Sequence, residues 1–264
     1  MPIKGETMAQ TDNDELCFWN DRSKLGVAAG SNDLIAKQIE IKAISSYVRA
    51  GMCILDFGCG NGITAIEIAK NLDVDILGID YAQDMITAAQ TLTQTATLKG
   101  RVRFMVGDDQ GLSRIRDRFD LVYSERTLIN LRDWESQRRA IASLTSLLHP
   151  GGIYVMCENS HDGLDSINDL RERLGLKRIV PPWHNRYFCA DEIDSLDIPG
   201  VSLVEINHYS STYYLLSRVL NAALAAQDGR EPAYDAPINQ LALNLPSLGQ
   251  WGQGKIWVWR RDIR

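Results

Sequence analysis

The sequence predicts an α/β fold in which helices cover both faces of a doubly wound, mostly parallel sheet. Between about residues 50 and 160, short apolar runs alternate with segments of helical period, which is typical of repeated strand–helix units. The first of these runs is followed by glycines at alternate positions, Gly58, Gly60 and Gly62. Several runs also end in an acidic residue, where ligands of open α/β sheets bind.

The elements are predicted in chain order from periodicity and from turn residues. The polar stretch 1–14 is expected to be frayed, and 15–50 to form a helical cover whose main helix spans 33–48, with apolar residues near helical period. Alternating strands and helices follow, with strands at 52–57, 75–80, 101–106, 119–124 and 152–158 and helices at 62–71, 82–95 and 133–148.

The pattern changes after residue 158. A helix at about 163–174 precedes the pair Pro181-Pro182, which forbids a helix there and stiffens the loop. Strands are predicted at 201–209 and 255–260, separated by an insertion, 210–253, with a helix at 213–226. We expect residues 15–264 to form one domain, in which 160–195 and 210–253 make a roof over a substrate.

The glycine spacing bears on the ligand. A dinucleotide fingerprint needs its third glycine at position 63, but that residue is Ile63. Asp56 instead precedes Gly58 by two residues, and a second acid-ended strand places Asp80 eighteen residues after Gly62. With the Gly107-Asp108-Asp109 run and the Pro150-Gly151-Gly152 turn, this pattern resembles the class I S-adenosylmethionine-dependent methyltransferases over about residues 50–160.

The resemblance implies a seven-stranded sheet of order 3-2-1-4-5-7-6, with strand seven antiparallel, and S-adenosylmethionine as the cofactor. It places the glycine bend against the cofactor, Asp80 on the ribose hydroxyls and Asp108 near the adenine amino group. The cofactor-binding residues that it implies are Asp56, Gly58, Cys59, Gly60, Asn61, Gly62, Asp80, Tyr81, Met85, Asp108, Asp109 and Ser124. A structural turn at the glycines and helix caps at Asp80, Asp108 and Asp109 are the alternatives.

The N-terminal cover supplies two further candidates for the cofactor site. In relatives with such a cover it closes over the cofactor, so Arg22 is expected to pair with the methionyl carboxylate. Trp19 is expected to close the pocket against water. The alternative is a packed tryptophan beside a solvent-exposed arginine.

A hydroxyl acceptor needs a general base, whereas an amine acceptor needs only to be neutral. Candidates follow strands four and five or lie in the roof: Glu125, Glu158, His161 and His184. Candidate substrate contacts are Trp183, Asn185, Tyr213, Tyr214 and Arg218. Each has a structural alternative: an ion pair or cap for Glu125, surface turns for Glu158 and His161, an ordinary loop histidine, or helix packing.

Bulk properties narrow the class of protein. The net charge of −6 argues mildly against a nucleic-acid partner, although Arg171, Arg173, Lys177, Arg178 and Arg186 cluster in the sequence. No apolar run could cross a bilayer, four scattered histidines give no metal spacing, and five cysteines without a CxxC pair suggest free thiols. A cytoplasmic location is therefore expected, and a homodimer is left open.

The sequence thus favours methyl transfer to an oxygen or nitrogen of a small molecule, such as a natural product, a sugar or a lipid-linked precursor. The alternatives are a tRNA- or protein-directed methyltransferase, a non-catalytic S-adenosylmethionine-binding subunit and, less favoured because of Ile63, a NAD-dependent oxidoreductase.

Overall fold

A computed structural model describes the backbone of residues 8–263 and the side chains of residues 14–263. The first helix, α1, spans Met8–Arg22. Of the stretch 1–14 that was expected to be frayed, residues 1–7 therefore lie outside the described residues, and 8–14 belong to this helix. A short 3-10 helix, Ser23–Ala28, leads from α1 towards the helix α2, Leu34–Ser45.

Seven strands form one sheet of order β3-β2-β1-β4-β5-β7-β6, which confirms the predicted fold class. Strands β1 to β5 pair in parallel, and β7 is antiparallel to both of its neighbours. The strands are β1 Cys53–Phe57, β2 Asp75–Asp80, β3 Arg101–Val106, β4 Phe119–Glu125, β5 Leu148–Asn159, β6 Val201–Asn207 and β7 Gly254–Arg261. Strand β5 begins four residues before the prediction, because the Pro150-Gly151-Gly152 turn lies within it.

Helices cover both faces of this sheet. The helices of the central region are α3 Ile63–Asn71, α4 Gln83–Gln94 and α5 Trp134–Ser146. One apolar layer packs α5 against the sheet and includes the buried Tyr154, Phe188 and Trp259. The other packs α2 and α3 against the opposite face, around Ile44 and Ile68. Both faces of the sheet are therefore covered, and its strand ends are left as the place for a site.

The two predicted roof segments fold into short helices. The first contains α6 His161–Arg173 and α7 Ala190–Asp194. The second contains α8 Ser211–Tyr214, a π-helix over Leu215–Leu220, α9 Asn221–Gln227 and α10 Pro237–Gln240. The side chain of Asn168 exchanges two hydrogen bonds, of 2.7 and 2.9 Å, with the backbone of Ile179. This pairing fixes the chain just before the double proline.

The glycine bend after β1 has left-handed backbone at all three glycines, with φ of 74°, 52° and 73° at Gly58, Gly60 and Gly62. A Cβ atom at Gly62 would lie 2.3 Å from the ring of Phe104, and one at Gly58 would lie 2.1 Å from Thr127. At Gly60 a Cβ atom would meet nothing within 4 Å. Two glycines are therefore required by packing, and the middle one borders open space.

We expect Gly62→Ala to lower the free energy of unfolding by about 3 kcal/mol, because it combines left-handed strain with overpacking against Phe104. Urea denaturation followed by circular dichroism measures the change. The matched control is Gly229→Ala, which has a φ of 65° but no atom within 4 Å of the added Cβ. Equal losses in the two variants would show that the contact with Phe104 is not a constraint.

Candidate active site

A cavity of about 680 Å³ lies where β1, β2 and β4 end, and α1, α2 and both roof segments close it. Most of the predicted site residues line it, although their roles stay predictions. Those that line it are Trp19, Arg22, Asp56, Gly58, Cys59, Gly60, Asn61, Asp80, Tyr81, Met85, Asp108, Asp109, Glu125, His184, Asn185, Tyr214 and Arg218. Those that do not are Gly62, Ser124, Glu158, His161, Trp183 and Tyr213.

Asp80 joins the glycine bend to the end of β2. Its Oδ2 accepts a hydrogen bond of 2.8 Å from the Gly60 amide, and its Oδ1 accepts one of 2.9 Å from Ala82. Burial raises the pKa of the carboxyl, and the two amides oppose that shift. The carboxylate is thus held at the cavity wall and keeps lone pairs that can accept further hydrogen bonds.

Asp56, in β1, is 2 % exposed and faces the same cavity. Burial raises the pKa of its carboxyl to about 8. Its Oδ2 atom makes no hydrogen bond within residues 14–263. An unpaired buried carboxyl oxygen is costly, which indicates that a polar ligand group completes this wall.

The far side of the cavity carries Asp108 and Asp109. Asp108 Oδ1 accepts a hydrogen bond of 2.8 Å from the Gly111 amide, so it also caps the short 3-10 helix Gln110–Arg114. Met85 packs here with Ala29, Ala82 and the partly buried Trp19. The N-terminal helix α1 therefore closes the cavity through apolar contacts with α4.

Arg22 has a structural task that the sequence did not indicate. Its Nε donates to the Ala29 carbonyl at 2.5 Å, and its Nη2 donates to the Ala28 carbonyl at 2.7 Å and to Asn32 at 3.1 Å. These contacts hold the chain between α1 and α2. The predicted pairing with a ligand carboxylate would have to be added to them.

His184 lies among aromatic rings at the cavity wall. Its ring centroid is 4.8 Å from that of Phe18, 5.2 Å from Trp183 and 5.9 Å from Trp19. Burial, and secondarily the charge of Arg22, lowers the pKa of the imidazole. Nδ1 has no hydrogen-bond partner within the described side chains. The ring is therefore neutral near pH 7 and can still accept a proton.

Glu125 is not suited to be the base that the sequence suggested. Its Oε1 accepts from Lys37 Nζ at 2.7 Å, and its Oε2 accepts from Thr64 Oγ1 at 2.6 Å. Burial favours the neutral acid, but the charges of Lys37 and Arg126 and a hydrogen bond with Glu40 together outweigh it, and the pKa of Glu125 is lowered to about 2. A carboxylate so stabilised is a poor proton acceptor at neutral pH.

Glu158 is poorly placed to act as a base, because it is fully buried and does not line the cavity. Its carboxylate accepts hydrogen bonds from the amides of Thr127, Leu128 and Ile129 and from Ser124 Oγ, at 2.8 to 3.4 Å. It therefore caps the 3-10 turn Leu128–Asn130 that follows β4. Ser124 is buried in the same network, which removes it from the cofactor wall.

Four further predicted residues lie away from the cavity lining. His161 begins α6 and packs against Tyr187, with ring centroids 5.7 Å apart. Trp183 is 68 % exposed, and the Tyr213 hydroxyl donates to Asp33 Oδ1 at 2.5 Å. Gly62 serves the packing of α3 against Phe104, as described above. None of these four residues lines the cavity, and direct ligand contacts by them stay predictions.

The largest omission from the sequence predictions is a group of charged residues beneath the cover. Lys37 and Glu40 of α2 face Glu125 and Arg126 at the end of β4. Arg126 is, within residues 8–263, the one residue other than glycine with a positive φ, 52°, and such outliers concentrate at functional sites. The sequence predictions for α2 rested on its apolar residues, and no local pattern showed that its acids and bases face inwards.

A second charged pair ties α2 to the roof. Arg218 Nη2 donates to Asp33 Oδ2 at 2.6 Å, and the guanidinium lies 4.9 to 5.7 Å from the ring centroids of Tyr213, Tyr214 and Tyr234. Such cation–π contacts are strong when desolvated. The predicted substrate residues Tyr214 and Arg218 thus form a wall, and Tyr213 supports it from behind.

A metal site and a membrane-spanning helix find no support in the described part of the chain. Within it, no group of three or more His, Cys, Asp or Glu side chains could hold a metal ion. Within the same residues, no helix combines the length and the apolar character needed to span a membrane. The five cysteines are all free thiols.

The sheet order and the glycine bend together define a doubly wound α/β protein with a ligand cavity at its switch point. Residues 54–152 match a family model described as a methyltransferase domain. The chain is 29% identical over 147 residues to O-methyltransferase resE of Aspergillus sclerotiorum, and the aligned region covers 54% of this chain and 53% of that protein. It is 30% identical over 134 residues to O-methyltransferase rstn1 of Aspergillus nomiae, covering 51% and 57%. The chain spans about half the length of these curated relatives.

Solved structures agree on the fold. The [4+2]-cyclase SpnF aligns with a TM-score of 0.57 at 22% identity, over 86% of this chain and 81% of that one. A TehB-like S-adenosylmethionine-dependent methyltransferase from Corynebacterium glutamicum aligns with a TM-score of 0.54 at 17% identity, over 95% and 100%. These structures share the fold, and residues 54–152 are similar to a methyltransferase domain.

We expect Glu158→Ala to lower the free energy of unfolding by about 3 kcal/mol, because it leaves buried backbone amides without acceptors. Thermal and urea denaturation measure the change. Glu67→Ala is the control, since it removes only the half-exposed pair with Lys70 and should cost less than about 0.5 kcal/mol. A stable Glu158→Ala protein would contradict the capping role.

Proposed function

We propose that this protein binds S-adenosylmethionine in the cavity and transfers its methyl group to an oxygen or nitrogen of a small molecule. The observation that carries the proposal is the open space at Gly60 beside the fixed carboxylate of Asp80. A nucleoside can lie against a backbone without a Cβ atom, and Asp80 can accept its ribose hydroxyls.

The residues present fit such a cofactor. Asp80 and Asp108 supply acceptors for the nucleoside, Met85 supplies an apolar wall, and the unpaired Asp56 Oδ2 supplies a polar partner. The bound sulfonium would supply an activated methyl group, whose bond to sulfur breaks with its electron pair left on sulfur. The chain's own contribution is to orient the acceptor in line and to exclude water, which Trp19 and α1 favour by closing the cavity.

A small acceptor is supported by the enclosure and by the relatives. Both roof segments border the cavity, and the first relatives named above are O-methyltransferases. Two residues of the basic cluster that favoured RNA are paired with acids, since Arg178 contacts Asp165, Asp169 and Glu172, and Arg186 contacts Glu192. His184 stays a candidate base, and the cytoplasmic location and the homodimer stay predictions.

We expect Asp80→Ala to weaken S-adenosylmethionine binding at least tenfold, because a charged hydrogen-bond acceptor contributes about 1.5–3 kcal/mol. Gly60→Val should abolish binding by filling the open space. Isothermal titration calorimetry measures both, with Gly229→Ala as the control and circular dichroism as the check on folding. Unchanged affinity in both folded variants would remove the cofactor assignment.

Turnover is tested with S-adenosylmethionine that carries a radiolabelled methyl group. We expect transfer to members of a set of phenols, hydroxylated aromatic acids and amines, and none to bulk tRNA or to denatured protein. Label in tRNA, with retention that falls as salt rises, would favour the nucleic-acid alternative. Cofactor binding without transfer to any of these acceptors would favour a binding subunit.

A further inference from the structure

The wall between α2 and the end of β4 contains a buried carboxyl group that the fold satisfies only in part, through Arg126 and Glu125. Glu40 is 4 % exposed and lines the cavity. Its Oε1 lies 3.2 Å from Arg126 Nε, and its Oε2 makes no hydrogen bond within residues 14–263. A buried polar atom without a partner is rare, and here it borders a space that a ligand can enter.

Arg126 places this pair next to the glycine bend. Phe57 of β1 is in register with Ser124 of β4, so the bend and Arg126 continue from neighbouring strand ends, about 5 Å apart. The Thr127 hydroxyl donates to the Gly58 carbonyl at 3.3 Å, which ties the two turns together. The positive φ of Arg126 is the strain that this placement requires.

Among the charged residues of this wall, Glu40 and Arg126 form the pair that remains available to interact with a ligand. Lys37 and Glu125 neutralise each other, as do Arg218 and Asp33. The groups that act electrostatically on Glu40 from the packed elements are Arg126 and Glu125 after β4, Lys37 on α2, Cys157 on β5, and Tyr209 and Tyr214 after β6. When Glu40 is protonated, it no longer balances the charge of Arg126, and the other two pairs are already neutral. Arg126 then remains as an uncompensated positive charge.

We propose that Glu40 accepts the proton of an acidic hydroxyl on the methyl acceptor, a phenol or an enol, and that Arg126 stabilises the resulting oxyanion. The inference rests on the proposed function, which it narrows from small molecules in general to this class. Amine acceptors would gain nothing from a buried guanidinium, because the nitrogen becomes positively charged as it takes the methyl group, and like charges repel.

The proton balance of the step is simple. The O–H bond of the acceptor breaks, its proton passes to Glu40, and its electron pair stays on oxygen. That oxygen then forms the new bond to the methyl carbon, and Glu40 returns the proton to solvent after the product leaves. Burial raises the pKa of Glu40 to about 8, with Arg126 opposing that shift, and a base near the working pH is the efficient choice.

His184 and Lys37 are less suited to this task. The pKa of His184 is lowered by burial and by the charge of Arg22, so it is the weaker base, and its ring lies among Phe18, Trp19 and Trp183. Lys37 is a cation that already pairs with Glu125.

Two probes of different acidity test the role of Glu40: 4-nitrophenol, which ionises near neutral pH, and 4-methylphenol, which does not. In Glu40→Gln we expect turnover of 4-methylphenol at pH 7.5 to fall about a hundredfold, and turnover of 4-nitrophenol to change less than about threefold, because its phenolate needs no base. His184→Gln is the matched comparison and should show no such split. Equal effects on both probes in Glu40→Gln, or the split in His184→Gln, would overturn the role of Glu40.

A spectrum tests the role of Arg126 without turnover. In the presence of S-adenosylhomocysteine, 4-nitrophenol bound to the wild-type protein or to Glu40→Gln should show the yellow phenolate at pH 6. Binding should raise the ionisation constant of the dye at least tenfold in both proteins. Arg126→Gln should lose this shift. If Arg126→Gln fails to fold, the test uses Arg126→Lys, which keeps the charge and should retain part of the shift.

The outcomes separate this inference from the proposed function. Bound dye that stays a phenol in the wild-type protein, or failure of either phenol to bind while S-adenosylhomocysteine binds, would overturn the acceptor class alone. Failure of wild-type protein to bind S-adenosylmethionine or S-adenosylhomocysteine by calorimetry would overturn the proposed function as well.

Discussion

The amide of Gly60 donates a hydrogen bond of 2.8 Å to Asp80, and this contact joins the turn after β1 to the end of β2. The turn has room for it only because the backbone is left-handed at three successive glycines. The same geometry leaves open space above Gly60 and brings Thr127 against Gly58. The cavity, the cofactor wall and the strained turn after β4 all depend on this arrangement of strand ends.

Charge neutralisation is the second constraint on the molecule. Strand ends at the switch point bury several acids, and each must be paired or protonated. Helix α2 meets this need for Glu125 through Lys37, and the roof meets it for Asp33 through Arg218. Ion pairs, as well as apolar packing, therefore bind the cover to the sheet and the roof to the cover. Glu40 and Asp56 are exceptions, since one carboxyl oxygen of each makes no hydrogen bond within residues 14–263.

Sequence reasoning succeeded where a residue type has one physical meaning. Glycines at alternate positions after an apolar strand required a bend, and Asp80 at the next strand end had to lie beside it, because parallel neighbours end at the same edge. The roles of carboxyl side chains were harder to predict from the sequence. Glu125 and Glu158 follow adjacent strands, yet one pairs with Lys37 and the other caps a buried turn. Their partners come from residues 20 to 90 positions away, which no local pattern specifies.

The sequence by itself determined the strands, the glycine bend and most of the residues that line the cavity, because these follow from strand period, turn chemistry and strand-end position, while the sheet order was implied by the resemblance to a known family. Only the tertiary structure decided which charged residues face the cavity. No local pattern places Lys37 and Glu40 at the cavity, and they meet Glu125 and Arg126 only because α2 packs over the end of β4. Ionisation depends on burial and on the nearest opposite charge, and both are properties of packing between distant segments.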